Sequence, residues 1–297
     1  MHKIHFKSGK WFMQAAPHDG ARITRLAYDG FGLLTAVPKR FRPPKKDYGL
    51  YETRPVFGYD DCFPSVDACR FPGRRWRVPD HGELCWLPWT TQPARDGLHF
   101  SVQSQNLPLA FSRAMLFSDT RLTWHFAVRS QAPDPLPFQH IMHPLMPLEE
   151  IDLAALRLPD CGMVYDEVGK RPAGGKVDLV HGSRLSGLNL PHVLESTAPG
   201  GFRMLVLRGI KSGGFTVGFK NGMRLRVQFP RKYFTALGIW WNNRGYPDES
   251  GLRRCECAFE PIPGPASSLA RASRAGDAMI VQPGQNLAWK VVWEIKT

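Results

Sequence analysis

Three short stretches of this sequence place histidine near carboxylates or prolines in ways that could move protons. In Val78-Pro79-Asp80-His81-Gly82-Glu83-Leu84-Cys85-Trp86, His81 sits in a turn flanked by Pro79 and Gly82, between Asp80 and Glu83. In Phe138-Gln139-His140-Ile141-Met142-His143-Pro144-Leu145, a second histidine precedes a proline inside an apolar run. In Cys257-Ala258-Phe259-Glu260-Pro261, an apolar run ends on a carboxylate. Histidines and carboxylates are the usual groups of general acid–base catalysis, each contributing roughly 10²–10⁴-fold, and free histidine titrates near neutrality. Taken singly, each also has a plainer reading: a solvated loop histidine, a hydrogen-bonded core histidine and an edge charge. Side chains alternate along a strand, so His140 and His143, three apart, face opposite ways and only one can line a site.

Other chemistries find less support. The six cysteines, Cys62, Cys69, Cys85, Cys161, Cys255 and Cys257, are too sparse for a disulfide scaffold in a chain of 297 residues. They lack the paired spacing of a zinc site, so no metal is expected. Cys255 and Cys257, two apart, share one face of a strand and read as small buried thiols. The formal net charge is +13. Such a balance is compatible with nucleic acid, an acidic surface or an anionic small molecule, but the charge is spread along the chain. The densest patch, Lys39, Arg40, Arg42, Lys45 and Lys46 among Pro38, Pro43 and Pro44, reads as a solvated, proline-stiffened connection. No helix-turn-helix, zinc-finger or RNA-recognition signature accompanies it, so no nucleic-acid partner is expected. No apolar run reaches membrane-spanning length, and the start of the chain lacks the apolar core of a signal peptide. The chain is therefore expected to be soluble and cytoplasmic, with no membrane partner.

The elements that must hold these residues are strands. Leu98-His99-Phe100-Ser101-Val102 and Leu122-Thr123-Trp124-His125-Phe126-Ala127-Val128 alternate cleanly. Residues 21–28, 31–37, 202–207, 214–219, 223–229 and 287–295 also read as strands, with Asp29-Gly30 turning the first into the second. This spacing suits an all-β antiparallel sandwich. Helical signals are few. Residues 267–276 form the best one, with serines at the start and Gly276 at the end; residues 148–156 offer another. The proline-rich stretch 131–137 is read as a crossing between sheets, so residues 1–297 are taken as one domain.

The order of these pieces resembles the aldose 1-epimerase (galactose mutarotase-like) superfamily, especially its divergent bacterial branches. The similarity runs from about Gly20 to the C-terminus. It includes Gly20-Ala21-Arg22-Ile23, the Gly58-Tyr59-Asp60-Asp61-Cys62-Phe63-Pro64-Ser65 segment, the Asp80-His81-Gly82 turn, His143-Pro144, Phe229-Pro230, Leu237-Gly238-Ile239-Trp240-Trp241-Asn242, and Glu260-Pro261 before a short helix and the Pro283-Gly284 turn. Two segments depart from the galactose mutarotases proper: Cys62-Phe63-Pro64 stands where they carry an Asn-Arg pair, and His143-Pro144-Leu145 where they carry His-x-Tyr-Phe-Asn-Leu. The sugar therefore stays open.

The resemblance implies a large mutarotase-like β-sandwich with one or two short helices. It also implies an isomerase that interconverts the anomers of a hexose or hexose derivative, acting as a monomer or homodimer without a cofactor. In that reaction the anomeric hydroxyl loses a proton, the ring oxygen gains one, and the free aldehyde rotates and recloses. By the resemblance, Glu260 is the general base, His143 the general acid, and His81 a hydrogen-bonding partner near the ring oxygen. Trp240, Trp241 and Asn242, with Trp86 and Trp89 as further candidates, would supply flat and polar surface to a sugar; core packing is the plainer reading of any one tryptophan. Arg54 and Asp61 would contact hydroxyls. Arg54, Arg231 and the Arg74-Arg75-Arg77 loop could instead take the phosphate or carboxylate of an anionic sugar, which the basic balance makes compatible. A non-catalytic carbohydrate-binding protein on the same sandwich is the alternative.

Overall fold

The computed structural model describes residues 3–38, 47–167, 177–181, 190–247 and 253–296. The basic residues Lys39, Arg40, Arg42, Lys45 and Lys46 lie outside the described residues. The architecture is antiparallel sheet. An eight-stranded sheet runs in the order Ile151–Arg157, Gly214–Phe219, Arg224–Gln228, Asn286–Lys296, Arg121–Ser130, Leu109–Phe117, Gly97–Gln103 and Thr90–Ala94. A second sheet joins Ile4–Ser8, Trp11–Ala16, Arg22–Tyr28, Tyr59–Cys62 and Ile141–Pro144, with Phe31–Gly32 added beside Arg22–Tyr28. A third joins Met146–Pro147, Arg253–Ile262, Ala236–Pro247, Gly201–Arg208, Met163–Asp166 and Val177–His181.

Alternation in the sequence becomes alternation in burial. Along Arg121–Ser130, Leu122, Trp124, Phe126 and Val128 are buried while Arg121, His125 and Arg129 are exposed. Trp124, Phe111 and Trp289 of the large sheet join Trp11 of the N-terminal sheet and Phe259 of the third sheet in one core. A strand buried on one face reads in this way because a one-residue slip would turn every apolar side chain to water.

Two sequence expectations change. Residues 148–156 are one 3₁₀ turn, Leu148–Glu150, followed by the strand Ile151–Arg157. The strand expected over 31–37 is limited to Phe31–Gly32. The crossing at 131–137 links the large sheet to the short strand Leu136–Phe138, which pairs with Met279–Val281. The helix expected near 267–276 is Leu269–Ala275, with Ser268 accepting from the Arg271 N–H and Gly276 closing it at φ 75°. Cys257 is buried but Cys255 is only half-buried, and all six thiols are free.

Candidate functional site

Glu260 stands on Arg253–Ile262, opposite Gly238 of Ala236–Pro247. Period-two alternation puts Arg254, Glu256, Glu260 and Ile262 on one face of that strand, and all four line a cavity of about 450 Å³. Phe259 and Cys257, on the other face, enter the core. Gly238 makes room for the carboxylate: a Cβ there would lie 3.3 Å from Glu260 Oε2 and 3.0 Å from Met204 Cε.

His143 arrives from the N-terminal sheet. Its strand, Ile141–Pro144, pairs with Tyr59–Cys62 in a register that sets His143 opposite Asp60. His143 Nε2 lies 3.5 Å from Glu260 Oε1. Neither Glu260 Oε1 nor His143 Nδ1 has a hydrogen-bond partner among the described residues. His140 faces the opposite way, fully buried, with Nε2 2.9 Å from Asp61 Oδ1.

His81 completes the group. Its ring centroid is 5.2 Å from that of His143, and both rings line the cavity. The turn that delivers it is left-handed at two successive residues, His81 at φ 57° and Gly82 at φ 73°. The backbone packs so closely that a Cβ on Gly82 would sit 2.0 Å from the Phe63 carbonyl oxygen. The His81 N–H donates to the Val66 carbonyl at 2.6 Å, and the Glu83 N–H to the Phe63 carbonyl at 2.8 Å. Glu83 turns away from the cavity and accepts from Ser104 and Asn106. Asp80 Oδ1 stays 3.1 Å from His81 Nδ1.

Burial governs the charges. It pushes the Glu260 carboxyl up to about 7, against a lowering by His81. Burial, and then the charge of His81, push the His143 imidazole down to about 3. Asp80 goes the other way: burial raises it, but the charge and hydrogen bonds of His81 outweigh that and hold it below the ordinary carboxylate range.

Tyr51, which carries no signal in the sequence, underlies the histidines. Its ring stacks on His81 with centroids 3.8 Å apart and planes 10° from parallel, and its hydroxyl donates to Asp60 Oδ2 at 2.7 Å. Asp60 is buried between Arg22, at 3.1 Å, and Arg54, at 3.5 Å. Burial opposes its ionisation, but the two guanidiniums hold it at about 2.

Several expected contacts change place. Trp240 lines the cavity and its Nε1 donates to Glu256 Oε1 at 3.3 Å. Arg54 does not reach the cavity: it is 1% exposed and bound to Asp60 and Asp19. Asp61 points into the core, to Arg113, His140 and Tyr59, because adjacent strand residues face opposite ways. Asn242 is fully buried, and its Oδ1 accepts from the N–H groups of Gly245 and Tyr246, shaping the irregular stretch that brings Tyr246 to the cavity. Trp86 packs beneath Arg54, and Trp89 joins the core. Arg74, Arg75, Arg77 and Arg231 are not among the lining residues. Among the described residues no three His, Cys, Asp or Glu side chains cluster as a metal centre would need, and no helix is long and apolar enough to cross a membrane.

The Glu256 and Arg254 positions were readable from the sequence once Glu260 was chosen, since they follow at intervals of two.

No family model matches the sequence, and no curated protein matches it. Solved structures do. Slr1438 from Synechocystis sp. PCC 6803 superposes with a TM-score of 0.74 at 17% identity, over 100% of this chain and 96% of that one. A galactose mutarotase-like protein from Lactobacillus casei gives 0.66 at 18% identity, over 99% of this chain and 100% of that one. A galactose mutarotase related enzyme from Lactobacillus acidophilus gives 0.68 at 13% identity, over 100% and 98%. With its antiparallel sheets and end-to-end superposition on these proteins, the chain has the galactose mutarotase-like sandwich fold.

Proposed function

We propose that the chain is an aldose 1-epimerase, interconverting the anomers of a hexose or hexose derivative. One observation carries this: Glu260 and His143, far apart in sequence and delivered by two different sheets, meet at 3.5 Å in a cavity with His81 alongside. The mutarotase-like fold supports the reading by analogy.

The pair accounts for the proton traffic. Between about pH 3 and about pH 7 the two groups together hold one proton. Without sugar it rests on Glu260, because burial penalises both charges. An anomeric hydroxyl donating to Glu260 favours the carboxylate and drives the held proton to His143. Glu260 then takes the hydroxyl proton as the base, and His143 hands its own to the ring oxygen. His81 donates to the oxygen on which charge develops. The aldehyde rotates, and the same steps reversed close the ring on its other face. Trp240 gives the sugar an apolar platform.

Anomer exchange measured by NMR on a panel of aldoses tests the reading. Exchange above the spontaneous rate, lost in Glu260→Gln, is the expected result. Binding of a sugar without acceleration would leave a carbohydrate-binding protein instead.

A further inference from the structure

Beside the cavity lies an annex of about 210 Å³, which shares the wall formed by Glu167, Pro265, Ala266, Ser267 and Arg271 and is completed by Tyr165 and Arg208. Arg208 ends the strand Gly201–Arg208, and Arg271 lies on the helix Leu269–Ala275.

These two arginines differ from the others near the site. Arg22, Arg54, Arg113, Arg203 and Arg254 are each held by a carboxylate. Neither Arg208 nor Arg271 forms an ion pair among the described residues. Arg208 is instead set in place by a neutral group: its guanidinium lies 5.0 Å from the Tyr165 ring centroid, and its Nη1 donates to the Tyr165 hydroxyl at 2.9 Å. That leaves further N–H groups of its planar fork without a partner among the described residues. Among the described residues, Glu167 is the one acidic residue lining the annex, against two guanidiniums.

We propose that this annex is an anion subsite: it takes a carboxylate or phosphate carried by the sugar whose anomeric carbon lies between Glu260 and His143. The inference rests on the epimerase reading and extends it to substrate class. A second sugar ring fits the annex less well, because Arg208 already covers the face of Tyr165 that a pyranose would stack on. Guanidinium forks match the oxyanion geometry of both candidate groups. Arg254 lies elsewhere in the cavity, its Nε 3.4 Å from Glu256 Oε1, and that pair suits neutral hydroxyls.

The test is titration calorimetry with the 6-phosphates and uronates of glucose and galactose beside the neutral hexoses. It uses the wild-type protein, Arg208→Gln and Arg271→Gln. Both side chains are exposed, so the folded state should survive. At least one anionic sugar should bind about tenfold more tightly than its parent hexose, and each substitution should remove most of that advantage; Arg208→Gln, which lies outside the main cavity, should leave the neutral sugar unchanged. Raising the salt should shrink the advantage too. The phosphate and uronate arms decide which oxyanion the annex takes. Equal binding of anionic and neutral sugars, a preference that survives both substitutions, or no binding of any anionic sugar overturns the proposal. Anomer exchange recorded on the same samples separates the two readings. Exchange without an anionic preference sinks only the subsite, whereas a preference without exchange sinks only the epimerase.

Discussion

The ring of Tyr51 lies parallel to the imidazole of His81, 3.8 Å away centroid to centroid, while its hydroxyl donates to Asp60. One side chain therefore fixes the plane of a site histidine and ties it to the buried Arg22–Asp60–Arg54 cluster. Tyr51→Phe keeps the stack and removes the donor. It should cost about 1–3 kcal/mol of stability by leaving part of a buried carboxylate unsatisfied, with a modest effect on exchange. Tyr51→Leu also removes the stack and should lower kcat/KM by a further factor of roughly ten through loss of His81 orientation. Thermal unfolding and exchange kinetics of the two variants separate these effects; equal kcat/KM in both would remove the positioning role.

Gly82 and Gly284 share a left-handed backbone, at φ 73° and φ 69°, but only Gly82 is crowded. Gly284→Ala meets nothing within 4 Å and should cost about 1 kcal/mol, from backbone conformation alone. Gly82→Ala must in addition push its Cβ off the Phe63 carbonyl, 2.0 Å away. It should cost several kcal/mol more and displace His81. Denaturant titration of both variants checks the contrast, and similar losses would mean that the close approach is unimportant.

Burial raises Glu260 from 4.5 to about 7 in the folded chain. A raised folded-state value means that the native state binds the proton more tightly than the unfolded chain does. Its contribution to stability is therefore present below about pH 4.5 and is lost as pH rises through about 7. Glu260→Gln escapes that loss. Its stability relative to wild type should improve by the order of 3 kcal/mol between pH 4.5 and pH 8, which is a few degrees in Tm. A difference between the two proteins that does not change with pH would contradict the assignment.

The strand with Glu260 and the segment with His143 were legible because motif order and two-residue periodicity are local properties. Which face of a strand meets the cavity was not. Asp60 and Asp61 are neighbours in sequence, yet Asp60 supports the site and Asp61 joins Arg113 in the core. Arg54 looked available to a ligand, and only the fold supplies its carboxylates. Leu153-Ala154-Ala155-Leu156 suits a helix by composition, but pairing of Ile151, Asp152 and Arg157 on either side of it with Gly214–Phe219 carries it through as an irregular stretch of strand. The positive charge looked dispersed along the chain. Strand register sets Arg121, Arg226 and Lys296 around Glu294, and places Arg224, Lys290 and Arg129 further along the same outer face of the large sheet.

The pH dependence of anomer exchange tests the central claim, that Glu260 and His143 share the proton that opens the ring. The active free protein carries one proton on the pair. Its kcat/KM should therefore be level through mildly acidic pH and fall tenfold per unit above about pH 7, as the proton leaves Glu260. His143→Gln and Glu260→Gln should each abolish this limb together with most of the rate. A rate that instead rises through pH 7, or one that survives either substitution, would contradict the shared-proton account.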